Sequence, residues 1–369
     1  MKRQSYKYIF YLNFLFIAVC AVITFFSSEQ KVPFIRASVT TPIKSAVFEQ
    51  TNLCPSALSA VIIDGKSGAV LFEKNANTRL PMASTTKIMT ALTVITYADL
   101  DGVVTVSPKA SRTEGSSIYL KEGEKISVTD LLYGLMLESG NDAAVALAEG
   151  CFGSEEKCVD AMNALCKQYG LIDTHFDNVH GLDGKTHYTT AYELARITSI
   201  ALKNPVFASI ASTKSYTSGG ETQRFFSNHN RLLRTYEGCI GVKTGYTSLA
   251  GRCLVTAAQK DGEQYIAVTL NDRNDWQEHR EMLDYAFDSY SCREIACRDS
   301  FFIYNGAQKL VPSESIYLTV KGDDAFTVDY KIVLSKEETL CTYSCEGAVL
   351  GRFSLVPYDG STAASNPTS

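Results

Sequence analysis

Along the middle of the chain the spacing of apolar residues changes from strand-like to helical and back again. Ser59 to Asp64 and Ala69 to Glu73 are strand-like and flank Gly65-Lys66-Ser67-Gly68, which predicts a β-hairpin. From Ser84 onward Ile88, Ala91, Leu92 and Ile95 fall three or four residues apart and share one face of an amphipathic helix. A mainly helical stretch follows from about Asp130 to Lys203. Cys239 to Tyr246, Arg252 to Gln259 and Gln264 to Leu270 again read as strands, the last two joined across Lys260-Asp261-Gly262-Glu263. Trp276, Arg280, Leu283, Phe287 and Tyr290 then trace a helical face suited to covering that meander.

Two early strands, a helical insertion, three late strands and a closing helix predict an α+β domain. One antiparallel sheet is assembled from both ends, helices pack on it, and a helical subdomain borders a cleft. This domain is expected over residues 51–291. From about Ser300 to Tyr358 short apolar runs such as Ser315 to Val320 and Phe326 to Leu334 predict a small all-β domain over residues 300–358. The polar residues 359–369 read as a mobile tail, and the polar, Pro-containing residues 29–50 as a linker.

The N-terminus supplies the compartment. Lys2, Arg3 and Lys7 precede an apolar run from Tyr8 to Phe26 broken only by Asn13 and Thr24. Residues 1–28 therefore read as an export signal, either a cleaved signal peptide or an uncleaved anchor, since the run is close to the ~20 residues that span a bilayer. The rest of the chain is placed outside the cytoplasm, secreted or held at the membrane. With 45% hydrophobic and 20% charged residues the chain can bury a sizeable core. A net charge of −5 excludes a field large enough to hold nucleic acid. The 11 cysteines invite a disulfide reading in an oxidising compartment, but spacing selects no pairing.

Three short motifs carry candidate chemistry. Ser84-Thr85-Thr86-Lys87 fits Ser-x-x-Lys, which in a helix puts the Lys87 amine near the Ser84 hydroxyl. The same pattern recurs at Ser28 and Ser154, but only Ser84 opens a strongly apolar helix after a strand hairpin, where free N–H groups favour an oxyanion. Ser139-Gly140-Asn141 lies between two helical runs, where Gly140 permits a tight turn that aims both side chains one way. Lys243-Thr244-Gly245 lies on a predicted strand, with Gly245 removing a side chain where a ligand backbone could approach, and Lys243 and Thr244 suited to a carboxylate. Each motif alone has an ordinary structural explanation: a helix cap, an interhelical turn, a strand end.

In this order the three resemble the signature of penicillin-binding proteins and class A β-lactamases. The longer match is to low-molecular-mass penicillin-binding proteins that act as D-alanyl-D-alanine carboxypeptidases. It includes Pro81 to Thr90, Glu138 to Ala143, His180 to Asp183, His187 to Ala191, Asn228 to Leu233 and Gly241 to Thr247. His175, His180 and His187 fit no metal pattern and no phosphate-binding glycine loop is present, so no cofactor or metal is expected. The resemblance implies a serine peptidase of peptidoglycan and cell shape. Its partners would be stem peptides ending in D-Ala-D-Ala, with β-lactams as covalent ligands. It implies Ser84 as nucleophile, Lys87 as base, Ser139 as proton relay and Asn141 as holder of the substrate amide. Lys243 and Thr244, with Gly245, would bind the terminal carboxylate, and the backbone N–H groups of Ser84 and Tyr246 would form the oxyanion hole.

A free lysine is protonated at neutral pH, so Lys87 can serve as base only if burial and a neighbouring cation, expected to be Lys243, depress its pKa. Relatives carry an Arg after the Lys-Thr-Gly strand, and Arg273 is the loosely aligned candidate here. The C-terminus lacks the apolar face and basic residues of an amphipathic membrane helix, so any membrane attachment falls to the N-terminal segment. Two alternatives stand beside this reading. A class A β-lactamase shares the motifs, but its deacylating Glu-x-x-Leu-Asn segment is missing, as Glu193-Leu194 continues Ala195-Arg196. A catalytically weak wall-binding scaffold is the other.

Overall fold

A computed structural model describes residues 35–39, 53–220, 222–297, 303–305, 308–322, 326–334, 339–345 and 348–358. The export or anchor segment 1–28, the tail 359–369 and most of the linker 29–50 lie outside the described residues. The chain divides into two compact units. The first comprises residues 41–295 and 316–324 and carries all three motifs.

Its centre is a five-stranded antiparallel sheet of β1 (Ser59–Asp64), β2 (Val70–Lys74), β3 (Cys239–Thr247), β4 (Gly251–Lys260) and β5 (Glu263–Leu270). The order is β2-β1-β5-β4-β3, so the strand bearing Lys243-Thr244-Gly245 is an edge strand. The early hairpin and the late meander meet where β5 pairs with β1, Ile266 opposite Ile63. Because side chains alternate across a strand, Val61, Ile63, Val255, Ile266 and Val268 face one core, which the helical part fills. Ala60, Ile62, Leu254, Tyr265 and Ala267 face a second core under the closing helix, residues Asp275–Ser289, which contributes Met282, Leu283 and Ala286. Both faces are covered, and this is why these strands read as nearly continuous apolar runs.

The helical part contains α1 (Lys87–Tyr97), α2 (Val128–Leu137), α3 (Asn141–Phe152), α4 (Glu155–Gln168), α5 (Ala191–Leu202) and α6 (Pro205–Ser212), and α7 is the closing helix. Several starts are capped as the sequence dictates. Ser127 Oγ accepts from Asp130 N, Thr190 Oγ1 accepts from Glu193 N, and Asn204 Oδ1 accepts from the first turn of α6 behind Pro205. Among the described residues no helix is long and apolar enough to cross a membrane.

The second unit holds a six-stranded sheet ordered Ile35–Val39, Phe326–Leu334, Thr339–Cys345, Ala348–Pro357, Gln308–Pro312 and Ile303–Asn305. Two features depart from the expected boundaries. Within the segment expected to be a linker, Ile35–Val39 is a strand that pairs antiparallel with Phe326–Leu334, Ile35 opposite Tyr330. Its apolar residues are too few and too isolated to announce a strand without knowledge of the partner. Ile316–Lys321, expected inside the all-β domain, pairs instead with Tyr290–Ala296 and groups with the first unit. Thr319 Oγ1 and Ser67 Oγ lie 2.5 Å apart, and the Lys66 ammonium sits 5.0 Å from the centre of the Tyr317 ring. Cys54, Cys151, Cys158, Cys166, Cys239, Cys253, Cys292 and Cys341 are unbridged thiols.

Candidate active site

The Ser84 turn is held from four sides. Ala83 takes a left-handed φ of 48°, and Ala83–Thr86 forms a 3-10 turn that runs into α1. Thr85 Oγ1 donates to Met82 O at 2.6 Å and Thr86 Oγ1 donates to Ala83 O at 2.8 Å, tying the turn to itself. The Thr86 hydroxyl also lies 2.7 Å from His187 Nε2. Ser84 is therefore not the helix cap its position suggested: the α-helix begins at Lys87, and the serine side chain remains available to the cleft.

Two glycines complete the turn. A Cβ on Gly181, whose φ is +94°, would stand 2.0 Å from Ala83 O and 2.9 Å from Ser84 N. One on Gly245 would stand 2.9 Å from Ser84 N. Gly245 thus lacks a side chain so that the edge strand can lie against the backbone of Ser84, a different reason from the ligand approach expected from sequence.

Lys87 begins α1 fully buried and aims Nζ at Ser84 Oγ, 3.0 Å away. Its ammonium also reaches Asn141 Oδ1 at 2.7 Å and His180 O at 2.6 Å. Burial lowers its pKa well below the usual lysine value, the Lys243 charge lowers it further, and Asp142 opposes both. Ser-x-x-Lys and Ser-Gly-Asn therefore meet through one side chain, across a gap that sequence alone does not close.

The Ser139-Gly140-Asn141 turn has the unusual backbone at Ser139, with φ 61°, and not at Gly140. What holds it is Asp142, which accepts from Ser117 Oγ, Ile118 N and Leu120 N and so locks the facing loop. Asn141 N donates to Ser116 O at 2.6 Å and Asn141 Nδ2 to Glu114 O at 2.6 Å, which turns Oδ1 toward Lys87. Ser139 is buried, borders the cleft, and its Oγ has no hydrogen-bond partner among the described residues. The motif is assembled, but no hydrogen bond from Ser139 Oγ to Lys87 or Ser84 is formed.

On β3, Lys243 is 1% exposed and donates to Thr244 O at 3.1 Å. Burial brings its pKa down to about 7 against the opposing field of Glu138. Thr244, Gly245 and the exposed Tyr246 face a cleft of about 820 Å³ shared with Ser84, Ser116 and Ser139. Arg273 does not border this cleft. Arg252 does, its guanidinium fixed on Asp275 by contacts of 3.0 and 2.7 Å, and Trp276 lies beside them.

Sequence reasoning gave no role to His180, Gly181 and Asp142, although they lie in the matched segments, and did not single out Glu114. All four act through the backbone or as a brace, and those roles leave no pattern of side-chain types to read. A hydroxyl 3.0 Å from a buried amine of depressed basicity, with backbone N–H groups at the turn and a cation on the facing strand, is equipped for acyl transfer.

Residues 47–274 match the D-alanyl-D-alanine carboxypeptidase family. The chain is 36% identical over 338 residues to the D-alanyl-D-alanine carboxypeptidase DacF of Bacillus subtilis, covering 86% of this chain and 85% of that one. It is 37% identical over 257 residues to DacC of Escherichia coli, covering 65% of this chain and 64% of that one. Among solved structures, the DD-transpeptidase of Streptomyces K15 superposes with a TM-score of 0.60 at 34% identity, over 63% of this chain and 98% of that one. A carboxypeptidase DacD from Francisella tularensis superposes with a TM-score of 0.67 at 24% identity, over 86% and 96%, and supports the shared fold.

Proposed function

The chain belongs to the D-alanyl-D-alanine carboxypeptidase family, and from that premise we propose how its own residues perform the reaction. It is a serine-type hydrolase of peptidoglycan that acts on the cell wall, outside the cytoplasm. The observation that carries the residue assignment is the contact of the fully buried Lys87 Nζ with Ser84 Oγ at 3.0 Å.

Neutral Lys87 takes the Ser84 proton as Oγ attacks the carbonyl carbon between the two D-alanines. A C–O bond forms, and the negative charge moves to the carbonyl oxygen facing the N–H groups of Ser84 and Tyr246. Collapse breaks the C–N bond, the proton passes to the leaving amine with Ser139 as relay, and free D-Ala departs. Asn141 holds the substrate amide, and Lys243 and Thr244, beside Gly245, hold the terminal carboxylate. Water then attacks the acyl-Ser84 ester by the reverse proton path. A β-lactam offers the same amide and carboxylate and acylates Ser84, but its opened ring stays tethered and obstructs the water. The N-terminal segment carries the chain across the membrane, as cleaved signal or as anchor.

The test is incubation with a peptide ending in D-Ala-D-Ala, following D-Ala, and with penicillin, following protein mass. D-Ala release and a gain of one drug molecule are expected, both lost in Ser84→Ala. Release retained in Ser84→Ala overturns the assignment. Fast, repeated penicillin hydrolysis with little D-Ala release would favour a lactamase instead.

A further inference from the structure

We propose that His187 is a positioning residue for the oxyanion hole: acting through the Thr86 hydroxyl, it fixes the peptide between Ala83 and Ser84 whose N–H faces the developing oxyanion. The proposal rests on the reading of Ser84 and its N–H given above.

The tautomer of His187 follows from its contacts. The Asp177 N–H donates to His187 Nδ1 at 3.0 Å, so Nδ1 carries no hydrogen and the neutral ring carries its one at Nε2. Nε2 lies 2.7 Å from Thr86 Oγ1, and that oxygen lies 2.8 Å from Ala83 O. A carbonyl cannot donate, so the single hydroxyl hydrogen of Thr86 goes to Ala83 O and Nε2–H donates to Thr86. If Thr86 donated to Nε2 instead, both ring nitrogens would need lone pairs, which a neutral imidazole does not have. The relay therefore runs one way, from Asp177 N–H through His187 and Thr86 to Ala83 O.

The ring is held where the relay requires it. His187 is 4% exposed, Phe176 meets its ring edge-on with centroids 5.7 Å apart, and His175 and Tyr188 exchange backbone hydrogen bonds of 2.9 and 3.0 Å beside it. Burial keeps the ring neutral, with its pKa lowered to about 4; the Asp177 carboxylate opposes this, and the charges of His180, His175 and Lys87 add to it. A protonated ring would set an Nδ1–H against the Asp177 N–H and break the relay at its start.

The far end of the relay matters because a trans peptide is planar. The Ala83 carbonyl and the Ser84 N–H point in opposite directions from one plane, so a hold on the oxygen aims the N–H. Ala83 has a φ of 48°, a left-handed conformation that persists in a residue with a Cβ only where its surroundings enforce it. Gly181 closes on Ala83 O and the Thr86 hydroxyl grips it. His187 does not border the catalytic cleft, so its effect on the reaction passes through this peptide.

Four variants test this: His187→Asn, His187→Gln, Thr86→Val and the double variant Thr86→Val/His187→Asn. The asparagine amide can still accept from Asp177 N–H but is too short to reach Thr86, whereas the glutamine amide reaches it with an N–H. Each variant is measured for melting temperature, acylation rate with penicillin, and affinity for a boronic acid analogue of acyl-D-alanine. Ser84 Oγ adds to the trigonal boron of that probe, its proton passing to Lys87, and the tetrahedral adduct puts one oxygen in the oxyanion hole. His187→Asn and Thr86→Val are each expected to slow acylation and weaken the boronate by roughly tenfold or more, short of the 10² to 10³ lost with a whole oxyanion donor. The double variant should be little worse than either, since both break one relay. His187→Gln should recover most of the loss. His279→Ala, which empties another buried histidine site, should lower the melting temperature and leave acylation within about threefold of wild type. His187→Leu fills the ring's place without a donor and stands in for His187→Asn should that variant not fold. A folded His187→Asn protein within about threefold of wild type in both acylation and boronate affinity overturns the proposal. So do losses that multiply in the double variant, a His187→Gln protein no better than His187→Asn, and a boronate affinity that holds while acylation slows. A wild-type protein that forms neither adduct overturns instead the assignment of Ser84 on which the proposal rests.

Discussion

Replacing Gly181 by alanine should disable acylation while leaving the protein folded. The new Cβ would lie 2.0 Å from Ala83 O, 2.5 Å from Ala83 C and 2.9 Å from Ser84 N, against an ordinary contact of 3.4–4 Å. Either the Gly181 loop or the Ala83–Ser84 peptide must move by about 1 Å, and that peptide carries the N–H assigned to the oxyanion hole. A displacement of ~1 Å at a reacting centre costs on the order of 10² in rate, and loss of an oxyanion donor costs 10² to 10³. The left-handed φ of +94° adds backbone strain, ~1–2 kcal/mol for a residue with a Cβ. Gly68→Ala separates the two effects. Its φ of +75° imposes similar strain, but nothing lies within 4 Å of the added carbon. Acylation by a fluorescent penicillin, followed with the melting temperature, should show both variants a few degrees less stable and only Gly181→Ala slowed by about 10² or more. A Gly181→Ala protein acylated within threefold of the wild-type rate would refute the reasoning.

Other predictions follow from charge and position. Lys243, with its pKa brought down to about 7, is cationic below that value and neutral above it, so acylation by carboxylate-bearing penicillin should decline as pH rises through the neutral range. Lys243→Arg, charged throughout, should lose that alkaline limb whatever its overall rate, and an unchanged profile would remove Lys243 from carboxylate binding. His187 and His279 are held neutral by burial, with pKa values lowered to about 4 and about 3. The unfolded chain takes up their protons first, so their contribution to stability is complete above ~6.5 and is lost as pH falls toward those values. About 2 kcal/mol each should be gone by pH 5, seen as a lower urea midpoint than at pH 7. Trp276, the only tryptophan, borders the catalytic cleft with the Arg231 guanidinium 5.8 Å from its ring. Its emission should change at the rate at which penicillin mass is gained, and a mass gain without that change would place the ligand elsewhere.

The sheet and its two cores were readable because β1, β4 and β5 are apolar on both faces and the loops between them are built from turn residues. That Lys87 would lie beside Ser84 was readable because the two side chains stand at fixed spacing in one helical turn, and Asn141 and Lys243 were legible as candidates for the same reason, each lying in a short motif of side-chain types. What escaped is of another kind. The role of Gly245 could be guessed but its reason could not, since the atoms it makes room for lie more than 150 residues earlier in the chain. His180 contributes a carbonyl, which any residue possesses. Ile316–Lys321 went to the wrong unit because a strand's partner is chosen by tertiary context, and the edge offered by Tyr290–Ala296 is invisible to local pattern. Arg252 escaped notice as a cleft residue because linear position after the Lys-Thr-Gly strand was the only guide and pointed to Arg273. The antiparallel pairing sets Arg252 directly opposite Tyr246 and so beside the cleft.

The hydrogen bonds around Lys87 also bear on how burial would make it the base of the proposed mechanism and not merely a neutral amine. Protonated, its three N–H groups match three acceptors: Ser84 Oγ, Asn141 Oδ1 and His180 O. On losing a proton the amine keeps two N–H groups and gains one lone pair, so one of the three contacts must reverse. The carbonyl of His180 has no hydrogen to give. Asn141 has its amide N–H committed to Glu114 O, so it too faces Lys87 with a carbonyl oxygen. Only the Ser84 hydroxyl can turn from acceptor to donor. The lone pair is thereby directed at the Ser84 proton, the one whose removal starts the proposed reaction, and the nearby Lys243 charge favours the neutral state of Lys87. Asn141→Asp should undo the arrangement, because a carboxylate beside Nζ stabilises the ammonium and restores a third acceptor for it. The expected result is an acylation rate that rises only at markedly higher pH than in the wild type, read from a pH-rate profile with penicillin. A profile that does not move would mean that the Lys87 proton is governed from somewhere other than Asn141.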